Sequence, residues 1–444
     1  MGKSLWKVLS KNLLAVIGSI LFVSICSPPY LFGNDLPLAK PEEVGLSSVR
    51  LARIGPAMQR YIDQNLISGS VTLVARKGKV AHLEARGLKN VQAKEPMTAD
   101  TIFRLASMTK PITTVACMML YEEGHFLLSD PIKKWIPEFA NPVVKTLPPG
   151  DIYAGGSVTV PARRDITILQ LLTHTAGLSN AYRGINLEEY NKSQKLQNPG
   201  ETLGDVVKRY AKVPLNYHPG EAWEYSRATC VIGRLVEVIS GMTLDVFFRE
   251  RMFKPLGMKD TYFYLPNEKL KQLSVAYRPE KDGQISLLDP ASEESQFVKE
   301  PHLYFMGSGG LIGTASDYFK FSQMLLNGGE YNGVRLLSRK TVELMTKNHI
   351  GDLPVWLSGP YMGFGLGFAV GKDINGVRDA LTKNQPGPLP WSTGTYTWGG
   401  AYCTYFWVDP AEKLIGILMT QVRPNAHLKI RSDFVGLATQ AIAD

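Results

Sequence analysis

Phe103-Arg104-Leu105-Ala106-Ser107-Met108-Thr109-Lys110-Pro111 is the stretch that decides how this chain reads. A serine and a lysine three residues apart share one face of a helix, because positions i and i+3 are neighbours on its surface. The lysine amine can then take the serine proton, which makes a nucleophile without histidine. From Ser107 to about Leu128 the apolar residues Ile112, Val115, Met118 and Met119 recur at helical spacing. Pro111 fits if that helix begins near Ser107, since a first-turn N–H has no intrahelical partner. Ser107 then stands at a helix N-terminus, where the dipole favours developing negative charge. The pattern is weak alone, because Ser4-Leu5-Trp6-Lys7 repeats it inside what reads as a targeting leader.

Upstream of this stretch, Leu51, Ile54, Met58, Tyr61 and Ile62 predict a helix within 41–64. Val71 to Ala75 and Val80 to Ala85 predict an antiparallel hairpin turning at Lys77-Gly78-Lys79. Downstream, helices are predicted over 167–172, 202–210, 228–240, 317–326, 338–346 and 428–442. The segments 137–161 and 280–301 read as long loops, and 363–370 as a strand. The clearest strand pair is 395–408 with 414–422, around the turn Asp409-Pro410-Ala411-Glu412-Lys413. Together these predict an α+β fold: an antiparallel sheet built from both ends of the chain, flanked by helices, with an inserted mainly helical lobe. The expected division is a leader over 1–33, an α/β lobe at about 41–110 and 301–444, and a helical lobe at about 111–300.

The 444 residues, 44% apolar and 20% charged, suit one large domain or two lobes. Lys3, Lys7 and Lys11 lead into an uncharged apolar stretch from Leu13 to Cys26, too short to span a bilayer comfortably. Export to the periplasm or the medium is expected. A cleaved signal, with cutting near Cys26 or at 31–33, and a retained membrane anchor both stay open. Bulky Ile25 argues against lipid attachment at Cys26, and Trp6 against myristoylation of Gly2. The net charge of +9 is spread without an arginine-rich run, so nucleic acid is not implied. Cys117, Cys230 and Cys403 read as small buried apolar side chains rather than a disulfide framework. The histidines show no metal-ligand spacing, and Gly363-x-Gly365-x-Gly367 does not complete a dinucleotide fingerprint. There is no Walker loop and no G-x-S-x-G elbow, so neither metal nor cofactor is expected.

Further motifs give Ser107 its context. They are Leu171-Leu-Thr-His-Thr-Ala-Gly-Leu178, His218-Pro-Gly-Glu-Ala-Trp-Glu-Tyr-Ser226, Pro255-Leu-Gly-Met258, Gly309-Gly-Leu-Ile-Gly-Thr-Ala315 and Trp398-Gly-Gly400. With these in this order, the chain from about Pro41 to its end resembles the serine β-lactamase and penicillin-binding-protein-like hydrolases. The nearest branch holds class C β-lactamases, D-stereospecific peptidases and esterases with a β-lactamase fold.

The resemblance implies Ser107 as nucleophile, Lys110 as its base, and Tyr225 as the tyrosine of the second motif. A phenol there can shuttle a proton between nucleophile and leaving group, and a cationic Lys110 beside it would favour the phenolate. Arg227 stands where β-lactamases and D,D-peptidases usually carry Asn. A guanidinium offers no acceptor to an acyl amide, so Arg227 is expected to turn away and pair with a carboxylate. Trp398-Gly399-Gly400 takes the place of Lys-Thr-Gly. Tryptophan removes a cation suited to a substrate carboxylate and offers apolar area to an acyl or alcohol group. The two glycines suit a strand edge that a substrate approaches closely. By the same resemblance the Ser107 and Ala401 amides form the oxyanion hole, while His174 and His218 are structural.

Trp398 and Arg227 favour a carboxylesterase-like serine hydrolase acting on small-molecule esters. The alternative is a D,D-peptidase, D-amino-acid peptidase or β-lactamase acting on ester or amide substrates resembling cell wall, which export favours. An inactive, membrane-anchored binding protein is the reading of another class; Ser107, Lys110 and Tyr225 argue against it.

Overall fold

The computed structural model describes residues 36–146, 157–179, 187–196, 198, 200–281, 283–373 and 389–444. The leader, with its cleavage or anchoring, lies outside them. Among the described residues no helix is long and apolar enough to cross a membrane.

Gly69–Arg76 (β1) is buried along its whole length, which requires cover on both faces. On one side it pairs with Lys79–Asn90 (β2), entered through the turn at Lys77-Gly78, and β2 pairs in turn with Glu95–Pro96 (β3). On its other side lie strands from the end of the chain: Met362–Phe364 (β4), Ala369–Gly371 (β5), Tyr396–Gly399 (β6), Tyr405–Asp409 (β7) and Leu414–Met419 (β8). The eight-stranded order is β4-β5-β6-β7-β8-β1-β2-β3, antiparallel throughout. The two chain ends therefore meet at the β8–β1 pairing, as the sequence predicted.

One face of the sheet is covered by Ile54–Asp63 (α1) and Ile430–Thr439 (α5). Ile54, Met58, Val74, Trp407, Leu418 and Phe434 interlock there. Burying each such aliphatic or phenyl side chain contributes about 1.5–3 kcal/mol. The other face is covered by Ala315–Leu326 (α4), whose Tyr318 ring stands 4.9 Å from that of Phe406. Behind it run Thr109–Glu122 (α2) and Ala228–Ser240 (α3), packed against each other. Leu36–Asp444 forms one compact unit.

Several expected elements divide differently. The 363–370 strand is the hairpin β4–β5, turned at Gly367, whose φ of 81° a side chain would resist. The 395–408 strand is two strands, β6 and β7, joined at 400–404. Both turns are buried with their strands, so the apolar pattern runs through them without a break. The expected loops carry hairpins as well: Val143–Thr146 pairs with Val158–Pro161, and Ala276–Pro279 with Ile285–Asp289. Elsewhere the predicted helices hold, with Thr167 and Thr202 closing capping boxes at their starts, except that the helix expected from Ser107 to about Leu128 stops at Glu122, just before Gly124 with its φ of 81°.

Candidate active site

Ser107 is placed by a short, tightly held lead-in to α2. Phe103–Arg104 pairs with Ile312–Gly313, and the Leu105 N–H bonds Leu311 O at 2.9 Å. Arg104 is wholly buried. It donates to Asp289 Oδ2 at 2.6 Å, to Ser274 O at 2.5 Å and to Pro290 O at 2.8 Å. Its own backbone is clasped by the Gln421 amide. Ala106 then takes a positive φ of 47°, an uncommon conformation for a residue with a side chain and a form of local strain found at reactive sites. A turn of 3-10 helix over Ala106–Met108 leads into α2. Ser107 thus sits at the mouth of the helix, as the sequence predicted.

The third motif comes to Ser107 through Gly400. A Cβ at Gly400 would collide with Leu105 O and Thr404 Oγ1. The close approach that the sequence reserved for a substrate is used by the chain itself. Thr404 Oγ1 donates to Leu105 O at 3.1 Å, and Ala106 packs on Ala401 and Tyr402. Among the described residues no acceptor takes the amide of Ser107 or of Ala401, as an oxyanion hole would require.

Three side chains form a chain through Ser107. Lys110 Nζ lies 3.2 Å from Ser107 Oγ and donates to Ser308 O at 2.7 Å. Tyr225 OH lies 2.6 Å from Ser107 Oγ, and the Trp398 indole N–H reaches Tyr225 OH at 3.4 Å. Burial, reinforced by the nearby Arg227 guanidinium, holds the Lys110 pKa well below the ordinary lysine range. Burial also raises the Tyr225 phenol above its usual value, against the hydrogen bonds from its neighbours. The expected phenolate is therefore corrected. Lys110 Nζ stands 4.6 Å from the Tyr225 ring centroid, but a lysine driven towards its neutral amine offers little charge to stabilise a phenolate.

Trp398 also differs from expectation. It is 6% exposed, with ring centroids 5.2 Å from Tyr225 and 5.4 Å from Phe364. Most of the apolar area expected to meet an acyl group is covered within the fold, where these two rings pack against it. Gly399 is backed by the Arg431 guanidinium and the Tyr405 ring. Arg431 in turn donates to Gly400 O at 2.5 Å, fixing the strand end.

Arg227 does not turn away. It stands at the start of α3, with Nη1 3.0 Å from Ser308 Oγ and 2.7 Å from Met306 Sδ. Ser308 was missed by sequence reasoning. It meets Lys110 through its backbone carbonyl, and a carbonyl leaves no residue-type signal. His174 packs its ring 5.1 Å from Tyr225 and 5.4 Å from Phe364, and burial holds it neutral. His218 accepts the Arg163 backbone N–H at 3.2 Å. Cys117, Cys230 and Cys403 are buried free thiols. No group of three or more potential metal ligands occurs among the described residues.

A model of the beta-lactamase family matches residues 56–440, and the chain belongs to that family. Protein Rv1367c of Mycobacterium tuberculosis (strain ATCC 25618 / H37Rv) is 33% identical over 395 residues, spanning 86% of this chain and 92% of its own length. Esterase EstB of Burkholderia gladioli is 29% identical over 397 residues, spanning 86% of this chain and 93% of its own. Among solved structures, EstCE1, a hydrolase with promiscuous acyltransferase activity, matches with a TM-score of 0.72 at 27% identity. That match covers 89% of this chain and 99% of EstCE1. The protein is an enzyme of the serine hydrolase and acyl-transfer class built on the β-lactamase fold.

Proposed function

We propose that the protein is a carboxylesterase-like serine hydrolase that forms an acyl-enzyme on Ser107 from small esters. The observation that carries this reading is the convergence on Ser107 Oγ of Tyr225 OH at 2.6 Å and Lys110 Nζ at 3.2 Å, from separate elements. Similarity to an esterase and to a hydrolase that also transfers acyl groups supports it.

In this mechanism the neutral Lys110 amine takes the Ser107 proton as Oγ attacks the ester carbonyl. The oxyanion rests on the Ser107 and Ala401 amides, one such donor being worth roughly 3–4 kcal/mol in a comparable hole. As the C–O bond breaks, Tyr225 gives its proton to the leaving alcohol, and the Lys110 ammonium restores the phenol. Water, or an acceptor alcohol, then enters by the reverse path and releases the acyl group. Arg227 and Trp398 weigh against the peptidase and β-lactamase alternative, because they replace the amide-binding Asn and the carboxylate-binding Lys that the resemblance would call for.

The test is turnover of p-nitrophenyl butyrate beside a chromogenic cephalosporin, with Ser107→Ala as control. Ester turnover should fall by about a thousandfold or more in the variant, with little cephalosporin turnover in either protein. Ordinary ester turnover by Ser107→Ala would sink the assignment. Ser107-dependent cephalosporin turnover matching the ester would favour the alternative. We also propose export, on the strength of the basic and then apolar leader alone. The N-terminal mass of the protein recovered outside the cytoplasmic membrane would separate cleavage from anchoring.

A further inference from the structure

Two groups at the ends of the Ser107 chain can each play a single part. An indole N–H only donates, and a backbone carbonyl only accepts. At one end the Trp398 N–H points at Tyr225 OH across 3.4 Å. At the other, Ser308 O takes a hydrogen from Lys110 Nζ at 2.7 Å. The groups between them have hydrogens whose direction is not fixed by chemistry: a phenol, a hydroxyl and an amine. With one amine hydrogen given to Ser308 O, the lone pair of a neutral Lys110 is available to Ser107 Oγ at 3.2 Å. Ser107 has one proton, and giving it to Lys110 leaves its oxygen an acceptor towards Tyr225. The 2.6 Å contact between Tyr225 OH and Ser107 Oγ is then one in which the phenol donates.

We infer that Trp398 is a positioning residue whose N–H orients the Tyr225 O–H towards Ser107 and so keeps Tyr225 the acid. The inference rests on the acyl-enzyme reading of Ser107. The indole occupies a lone pair of the phenol oxygen and so orients the O–H towards the reacting centre. Its burial, at 6% exposed, and its packing on Phe364 at 5.4 Å hold the ring to this single orientation. The backbone contributes as well, since Trp398 is registered opposite Phe406 across the β6–β7 pair. A lysine at this position would also donate, but as a flexible cation. The indole gives direction without charge, which suits a neutral ester better than an anionic substrate.

The prediction separates substrates by their leaving groups. An alkoxide must be protonated to depart, whereas p-nitrophenolate departs unaided, so only the first needs Tyr225 as an acid. Trp398 in the full-length protein is replaced by Phe and, separately, by 3-benzothienylalanine, which keeps the ring shape and puts sulfur where the N–H stood. kcat/KM is measured for p-nitrophenyl butyrate and ethyl butyrate, which share an acyl group, and Ser107 is labelled with a fluorophosphonate in each protein. For both replacements we expect ethyl butyrate turnover to fall about fivefold to tenfold, as for one lost hydrogen bond, with KM held. p-Nitrophenyl butyrate should change by less than about twofold. Equal falls for both esters, or a changed acyl-length preference with no leaving-group dependence, would overturn the inference and return Trp398 to a packing or acyl-pocket role. Failure of the unmodified protein to label at Ser107 would instead overturn the acyl-enzyme reading beneath it. The sulfur analogue keeps the test decisive if the smaller phenyl ring loosens the fold.

Discussion

Arg104 and Lys110 flank Ser107, and both are buried cations by residue type, yet the fold treats them in opposite ways. Arg104 is met by the Asp289 carboxylate, the carbonyls of Ser274 and Pro290, and the Ser295 hydroxyl. Lys110 is met by Ser308 O and Ser107 Oγ, and no carboxylate lies within ion-pair distance of it among the described residues. Burial lowers the pKa of both, but Asp289 opposes the effect at Arg104, whereas Arg227 adds to it at Lys110. A buried cation whose every hydrogen has a partner is a fastener. One that is denied a counter-charge and can lose its proton becomes a base.

Replacing the two residues should break the molecule in different places. Lys110→Met should lower ester turnover by about a thousandfold or more while leaving the melting temperature unchanged or higher, because no ion pair is lost. The sign with pH follows from the direction of the shift. Lys110 is depressed below its ordinary 10.5 in the fold, so the unfolded chain binds the proton first, and folding carries a penalty at lower pH. That penalty fades as pH rises towards the unfolded value, so the unmodified protein should gain stability relative to Lys110→Met over that range. A large loss of stability in Lys110→Met at neutral pH would show that it, too, is a fastener.

Arg104→Met should do the reverse. It strands the Asp289 carboxylate and the Ser274 carbonyl, and denaturant unfolding should show a loss of about 3–5 kcal/mol, the usual cost of breaking a buried pair from one side. A normal unfolding midpoint would remove the contrast. Arg227→Gln tests the charge that separates the two sites. With the guanidinium gone, Lys110 holds its proton to higher pH, so the acid limb of the kcat/KM profile should move upward. Arg227→Lys should keep the limb nearer its original place, and a limb that stays put in the glutamine variant would rule out this influence. The smallest effect is expected at Thr404→Val, which removes the bond to Leu105 O that helps dock the lead-in to Ser107. Thermal or denaturant unfolding should register about 1 kcal/mol, with turnover reduced by less than about tenfold.

Much of this was legible in the chain. Ser107 and Lys110 could be paired because helix geometry converts a spacing of three into a shared face, and Pro111 fixed where that helix starts. Val71 to Ala75 and Leu414 to Val422 announced themselves as strands by composition, which let the sheet be drawn from both ends. Tyr225, Trp398 and Ala401 came instead through resemblance, since nothing in local spacing ties them to Ser107. Local pattern failed where a turn was itself buried, at 365–368 and 400–404, because an apolar run shows no break when the turn is as dry as its strands.

The sequence by itself determined a serine and a lysine sharing one face at a helix mouth and strands at both ends of the chain, because both follow from short-range periodicity. Only the tertiary structure decided the chemical character of the groups around that serine. Whether Lys110 is a cation or a base, Tyr225 a phenolate or an acid, and Trp398 a pocket wall or a hydrogen-bond donor depends on burial and on partners distant in sequence: Arg227, Ser308 and Phe364. Proton affinity and hydrogen-bond direction belong to the environment of a group rather than to its residue type, and that environment exists only once the chain has folded.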